Sequence, residues 1–221
     1  MDERLRNLID VDKLKTKNIL LIGVGGVGSF CFETLIRSGI KHITIIDFDK
    51  YEESNINRQL HASLKTIGEY KVDVLKSHAK EVDENIEIVA INEKIDDNYK
   101  INYKIYDYVI DAVDDIQAKV NIIKNACESK VNFISSMGIG NKLNSDKLKI
   151  SKFSKVEGDP LAKKLRIELK KINFNDDFWA VSSLESPKKI TPVSSYMPVT
   201  GYAGILIAEF VIKRLMQDED K

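Results

Sequence analysis

Gly23-Val24-Gly25-Gly26-Val27-Gly28 separates a β-prone run, residues 18–22, from a helical one, residues 27–38, that Gly39 closes. Few folds accommodate such a junction. A strand that turns on glycines into a helix lets the backbone approach a phosphate closely and aims the helix N-terminal amides at it. The next β-prone run, residues 42–46, ends in Asp47, where a carboxylate can bond ribose hydroxyls. This spacing does not by itself separate NAD from ATP.

The alternation continues with a helix over 69–83 and strands over 86–91 and 107–110, the last running into Asp111. A helix over 118–130 and a strand over 131–135 follow. Apolar runs alternating with amphipathic helices predict an α/β fold with a doubly wound, mostly parallel sheet of the Rossmann type. Beyond Gly138 the pattern changes. Shorter β-prone runs, 148–153 and 178–182, flank a helix that Asp159 caps and Pro160 opens. Leu161, Leu165, Leu169 and Ile172 form its apolar stripe, with Lys163, Arg166 and Lys170 opposite. A last helix is expected from Thr200 onward, and a first one within residues 1–17, with Leu5, Leu8 and Ile9 as its apolar edge. The chain therefore divides into a nucleotide-binding core, residues 1–140, and a small strand-and-helix extension of the same domain, residues 141–221.

At 221 residues there is room for one sizeable core. Lysine plus arginine equals aspartate plus glutamate at 34 each, so only a local basic face could favour nucleic acid. The two cysteines, Cys31 and Cys127, have no CxxC spacing and make no cluster with the three histidines, so a structural zinc site is not expected. The longest apolar run, residues 204–212, is broken by Glu209 and too short for a bilayer, so no membrane association is expected. Two thiols without a signal segment point to a cytoplasmic setting.

After Asp47 come Phe48-Asp49 and then Ser54-Asn55-Ile56-Asn57-Arg58-Gln59; Lys71 stands thirteen residues past Arg58, and Asp111-Ala112-Val113-Asp114 ends a strand. Together with the glycine loop, this ordered set resembles the ubiquitin-activating-like adenylating superfamily, which includes the adenylating enzymes of molybdopterin and thiamine biosynthesis. The resemblance implies ATP and Mg²⁺ and a carboxylate joined to AMP. Gly23, Gly25, Gly26, Gly28, Asp47, Asp49, Asn55, Arg58, Gln59, Lys71 and Asp114 would bind the nucleotide. Arg58 and Lys71 would neutralise phosphate charge, Asn55 would contact phosphate or order its loop, and Asp114 would hold Mg²⁺ through the phosphates. An N-terminal arginine, Arg4 or its competitor Arg6, would complete the partner subunit's site.

Further segments, Asn57-Arg58-Gln59-Leu60-His61-Ala62, Ser135-Ser136-Met137-Gly138-Ile139-Gly140-Asn141-Lys142, Asp159-Pro160-Leu161-Ala162-Lys163-Lys164-Leu165-Arg166 and the tail 198–209, are similar to the tRNA threonylcarbamoyladenosine dehydratases. That likeness implies a homodimer acting on the modified adenosine of the tRNA anticodon stem-loop, with a sulfur-relay protein as a partner in some members. Gly158 stands where many of those proteins have cysteine. The rival reading is an activator of a ubiquitin-like or sulfur-carrier protein. That chemistry needs a thiol on a loop, whereas Cys31 and Cys127 both fall within helices as small core residues. Lys155, Lys163, Lys164, Arg166, Lys170, Lys171, Lys188 and Lys189 are either a basic patch for RNA or a solvated face. Trp179 and Tyr196 either stack on bases or pack in the core.

Overall fold

A computed structural model describes residues 3–96 and 99–217. Seven strands make one sheet: β1 (Asn18–Ile22), β2 (His42–Ile46), β3 (Glu87–Ile91), β4 (Tyr108–Asp111), β5 (Asn132–Ser136), β6 (Leu148–Lys152) and β7 (Trp179–Ser183), in the spatial order β3-β2-β1-β4-β5-β7-β6. Every neighbouring pair is parallel except β6 with β7, which closes the edge antiparallel. The two late strands thus extend the same sheet, and the doubly wound expectation holds.

Among the described residues six α-helices, α1 (Val11–Lys15), α2 (Gly28–Arg37), α3 (Lys71–Val82), α4 (Ile116–Glu128), α5 (Pro160–Lys171) and α6 (Met197–Gln217), flank the sheet. The alternation of β1 decides the layers. Ile19 and Leu21 pack into one core with α1, α2, α3 and α6, while Leu20 and Ile22 pack into the other with α4 and α5. Both faces are covered, which is why these strands read as continuous apolar runs. No helix among the described residues is long and apolar enough to cross a membrane.

The N-terminal expectation needs correcting. Residues 3–9 form turns, only Val11–Lys15 is helical, and Leu8 is 81% exposed instead of lining an apolar edge. The cause is Asp10, whose side chain accepts from the Lys13 amide at 3.0 Å and starts the helix there. The last helix begins at Met197, three residues before the expected start at Thr200.

At the end of α3, Lys41 Nζ donates to Asp83 Oδ2 at 2.5 Å, and this bond, with the Asn85 amide, holds the Asp83 carboxyl down at about 2. Its ordinary value is 3.8, so the folded state binds this proton more weakly than the unfolded chain. The stabilisation is complete above the unfolded value and is lost as pH falls through about 2. Acid titration of stability followed by circular dichroism is expected to show a shallower loss between those values in Asp83→Asn than in the parent. An equal slope in both proteins would remove this pair from the acid response.

Candidate active site

The sheet register sets the site. Ile22 pairs with Ile46 on one side and with Asp111 on the other, so β1, β2 and β4 finish level with one another. Strand order reverses between β1 and β4, and the loops leaving such a point diverge to open a crevice. Gly23 to Gly28, Asp47 to Asp49 and Ala112 to Asp114 all emerge there. Gly23, Gly25, Gly26 and Val27 from the first of these segments, and all of the other two, line a cleft of about 1160 Å³ together with Asn55, Arg58, Gln59, Lys71 and the loop after β5. Of the residues expected at the nucleotide, Gly28 and Arg4 are the two that do not line it.

Gly28 contributes through packing. A Cβ on it would lie 1.9 Å from the Gly23 carbonyl oxygen, because the helix folds back tightly on the turn. Gly23 itself has φ +84°, a left-handed conformation suited to glycine. Val27, the residue before α2, makes no side-chain cap, and the Ser29 amide bonds the Gly25 carbonyl at 2.9 Å, so the positive end of the helix dipole still faces the loop without a side chain covering it. Gly28→Ala is therefore expected to cost about 1–3 kcal/mol in stability through overpacking and to weaken ATP binding with it. Thermal melting and nucleotide titration check this; an alanine variant that melts and binds like the parent would show that the turn can relax.

Asp47 braces the same loop. Its Oδ2 accepts from the Val24 amide at 2.8 Å and its Oδ1 from the Asp49 amide at 2.9 Å. Burial pushes its carboxyl above the usual range, with the Lys71 cation pulling the other way. Lys71 sits at the first turn of α3 with its side chain 5% exposed, and its Nζ meets Asp49 Oδ2 at 2.7 Å. A cation so buried and so paired is a built feature, unlike a solvated surface lysine.

Arg58 lies over the glycine loop, its Cγ 3.5 Å from where a Cβ on Gly26 would stand, and its guanidinium bonds the Ser54 carbonyl and, at 3.1 Å, Asn57 Oδ1. Asn55 is buried in a 3-10 turn. Its Oδ1 accepts from the Glu52 amide at 3.3 Å in a capping box, so within this structure it orders the loop that carries Arg58. Gln59 is buried with its Oε1 lacking a hydrogen-bond partner, although it lines the cleft. A buried acceptor left open costs free energy that a bound donor would recover.

Asp115, not Asp114, caps α4, accepting from the Ala118 amide at 2.8 Å. Asp114 is left exposed on the cleft wall, a hard oxygen donor suited to Mg²⁺. Arg4 is exposed in the N-terminal turns, and Arg6 pairs with Asp12 at 2.6 Å.

Two supports were not visible as such in the sequence. Lys119, fully buried, bonds Asp111 Oδ2 at 2.6 Å, Ser135 Oγ at 3.0 Å and the Ser136 carbonyl at 3.0 Å. Ser135 Oγ also donates to Asp111 Oδ2 at 2.6 Å, and the Val113 amide to Asp111 Oδ1 at 3.1 Å. This network ties the ends of β4 and β5 below the cleft. The only sequence signal is a lysine inside the apolar face of α4, beside Ala118, Ile122 and Ile123. Buried Lys142, in turn, bonds the Gly138 carbonyl and meets Asp159 Oδ2 at 3.3 Å, pinning the loop after β5 to the start of α5.

The basic patch is smaller than expected. Arg166 is spent on the Phe153 and Val156 carbonyls, and Lys171 pairs with Glu168 at 2.8 Å. Lys164, Lys188 and Lys189 reach the cleft wall. Trp179 packs on Phe210 with ring centroids 5.1 Å apart, while Tyr196 stays exposed. Cys31 is buried and its thiol is pushed up by desolvation; burial likewise pushes Cys127 up to about 11. Neither lines the cleft.

The ThiF family model matches residues 5–221, and the chain belongs to that family. It is 33% identical over 229 residues to the tRNA threonylcarbamoyladenosine dehydratase of Bacillus subtilis, covering 94% of this chain and 90% of that protein. Its structure is similar to crystal structures of the E. coli tRNA N6-threonylcarbamoyladenosine dehydratase TcdA. The complex with AMP gives a TM-score of 0.90 at 26% identity, covering 96% of this chain and 90% of the other. The complex with ATP gives 0.87 at 26% identity, covering 93% and 88%.

Proposed function

We infer that this chain is an ATP-dependent tRNA threonylcarbamoyladenosine dehydratase. It adenylates the threonyl carboxylate on adenosine 37 of tRNA and lets the activated group cyclise. The observation that carries the reading is the convergence of a glycine loop, two cations, Arg58 and Lys71, and a free carboxylate, Asp114, on one cleft in a chain of this family.

A carboxylate oxygen attacks the α-phosphorus of ATP, the bond to the β-phosphate breaks, and pyrophosphate leaves. Two anions must approach each other, so positioning and positive charge are the main demands. Arg58 and Lys71 supply that charge, the α2 amides hold phosphate, and Asp47 takes the ribose. The nucleophile is already ionised, so no general base is needed for this step. Mg²⁺ would be held by Asp114 and would supply charge neutralisation for the phosphates. A nucleophilic atom within the threonylcarbamoyl group then attacks the acyl carbon and AMP departs, for a net loss of one water.

Lys164, Lys188 and Lys189 at the cleft wall give the phosphates of the anticodon stem-loop a cationic approach. Residues 1–140 form the adenylation core, and 141–221 contribute substrate binding and pairing. Tyr202 and Ile205 are exposed on α6, apolar surface that suits a second copy, whose Arg4 would reach this cleft. Sedimentation is expected to give a mass near twice 25.1 kDa. A 25.1 kDa particle at working concentration would discard the dimer. The rival, activation of a carrier protein through a thioester, is disfavoured because both thiols lie outside the cleft with raised pKa. The activity test is AMP release from Mg-ATP with tRNA bearing threonylcarbamoyladenosine, against the same tRNA lacking it. AMP formed with the modified tRNA alone is expected; AMP formed only with a Gly-Gly-tailed carrier protein would favour the rival.

A further inference from the structure

Outside the cleft, α2, α3 and the loop following Gln59 bring Glu33, His61 and His78 together. One ligand atom from each lies within 4.8 Å of the others. Glu33 Oε2 is 2.8 Å from His78 Nε2 and 3.4 Å from His61 Nε2, and the two rings stand 4.5 Å apart at 58°. The Glu33–His78 contact alone would be an ordinary ion pair. His61 makes it something else. Its side chain is 8% exposed, yet neither ring nitrogen makes a well-formed hydrogen bond; the contact available is the 3.4 Å approach of Nε2 to Glu33 Oε2. A buried polar side chain left under-satisfied in this way destabilises the fold unless something completes it.

We propose that Glu33, His61 and His78 form a binding site for one divalent transition-metal ion of the zinc class, distinct from the nucleotide cleft. None of the three residues lines that cleft. Two imidazole nitrogens and one carboxylate oxygen are the donor set that favours Zn²⁺ or Co²⁺ over Mg²⁺. Three protein ligands leave one position for water. The Glu33 and His78 side chains are 15% and 26% exposed, which opens a path for the ion from solvent.

The surroundings orient these ligands. Arg37 Nε bonds Glu33 Oε1 and leaves Oε2 turned toward the histidines. The Glu81 carboxylate lies 3.9 Å from His78 Nδ1, beyond hydrogen-bond range, where its charge still favours a cation at the site. Binding would replace the direct Glu33–His78 hydrogen bond by two metal bonds and give His61 Nε2 a well-formed bond.

The position gives the ion a structural consequence. His61 is three residues past Arg58, His78 lies about two turns along the same face of α3 from Lys71, and Glu33 is on the helix that the glycine loop opens. One ion would staple together the three elements that present charge to the phosphates. The site stands on geometry alone and does not depend on which substrate the cleft takes.

The test uses the full chain stripped with a chelator and then titrated with Co²⁺ by visible absorption and Zn²⁺ by calorimetry. One ion per chain, a tetrahedral cobalt spectrum and a rise in melting temperature with Zn²⁺ but not with equal Mg²⁺ are expected. His61→Asn and His78→Gln should each weaken Zn²⁺ binding by at least about a hundredfold, the upper range for losing even an orienting contact. Asp114→Asn should bind as the parent does. His78 is more exposed than His61, 26% against 8%, so its glutamine variant serves if the His61 variant does not fold. No ion bound by the parent, or equal affinity in His78→Gln, would overturn the proposal.

Discussion

Replacing Arg58 with alanine is expected to lower the rate of AMP formation by roughly a hundred- to ten-thousandfold, with a smaller change in the KM for ATP. The size follows from where charge develops. As the carboxylate closes on the α-phosphorus, negative charge spreads over the phosphate oxygens, and a fixed cation gains most at that moment. Such a group raises kcat in preference to tightening the ground state. Arg58 is half-buried over the glycine loop, and its hydrogen bonds go to Ser54 and Asn57 within its own turn. Removing the side chain therefore leaves the core intact, and melting should move by about 1 kcal/mol or less. Arg58→Lys should recover only part of the rate, because an ammonium cannot reproduce the planar fork of a guanidinium. An alanine variant with parental turnover would remove Arg58 from the phosphate chemistry and return it to an ordinary surface cation.

Lys119→Ala is expected to be the most damaging single change to stability. It would leave the fully buried Asp111 carboxylate without its ion-pair partner, 2.6 Å away in the parent, and would open a void under the cleft. Removing one member of a buried pair costs about 3–5 kcal/mol. For a chain of this size that corresponds to a fall in melting temperature of roughly 6–20 °C. The double variant Lys119→Ala with Asp111→Asn should regain a large part of the loss, since the void is the same but neither charge then remains and the asparagine still accepts from the Val113 amide. Differential scanning calorimetry of the two variants separates charge burial from simple packing. If the double variant melted no higher than the single one, the loss would come from the cavity and the severed link to the Ser136 carbonyl, not from the stranded carboxylate.

The parts of the site that were legible in the sequence are those written locally. The glycine turn, Asp47, Arg58, Lys71 and Asp114 each sit at a strand end, in a turn or at a helix start, and a level sheet register brings them to one cleft. Asn55 fitted two roles from sequence, and its capping box assigns it to holding the loop in this structure. What was not legible depends on pairings between distant residues. Lys119 finds Ser135 sixteen residues away, and His78 finds Glu33 forty-five residues away; no local period announces either. Charge patterning misled in the opposite direction at Arg166, which reads as part of a basic face but bonds two carbonyls beside its own helix. At the N-terminus, Leu5, Leu8 and Ile9 suggested a helix edge, and the Asp10 cap overrode that spacing.

The most direct measurement of the central claim is the mass of the modified nucleoside recovered from tRNA after incubation with the protein and Mg-ATP. A threonylcarbamoyladenosine lighter by one water, formed with one AMP per event and absent with Arg58→Ala, is the result the account predicts. A nucleoside of unchanged mass, with ATP consumed or not, would contradict it.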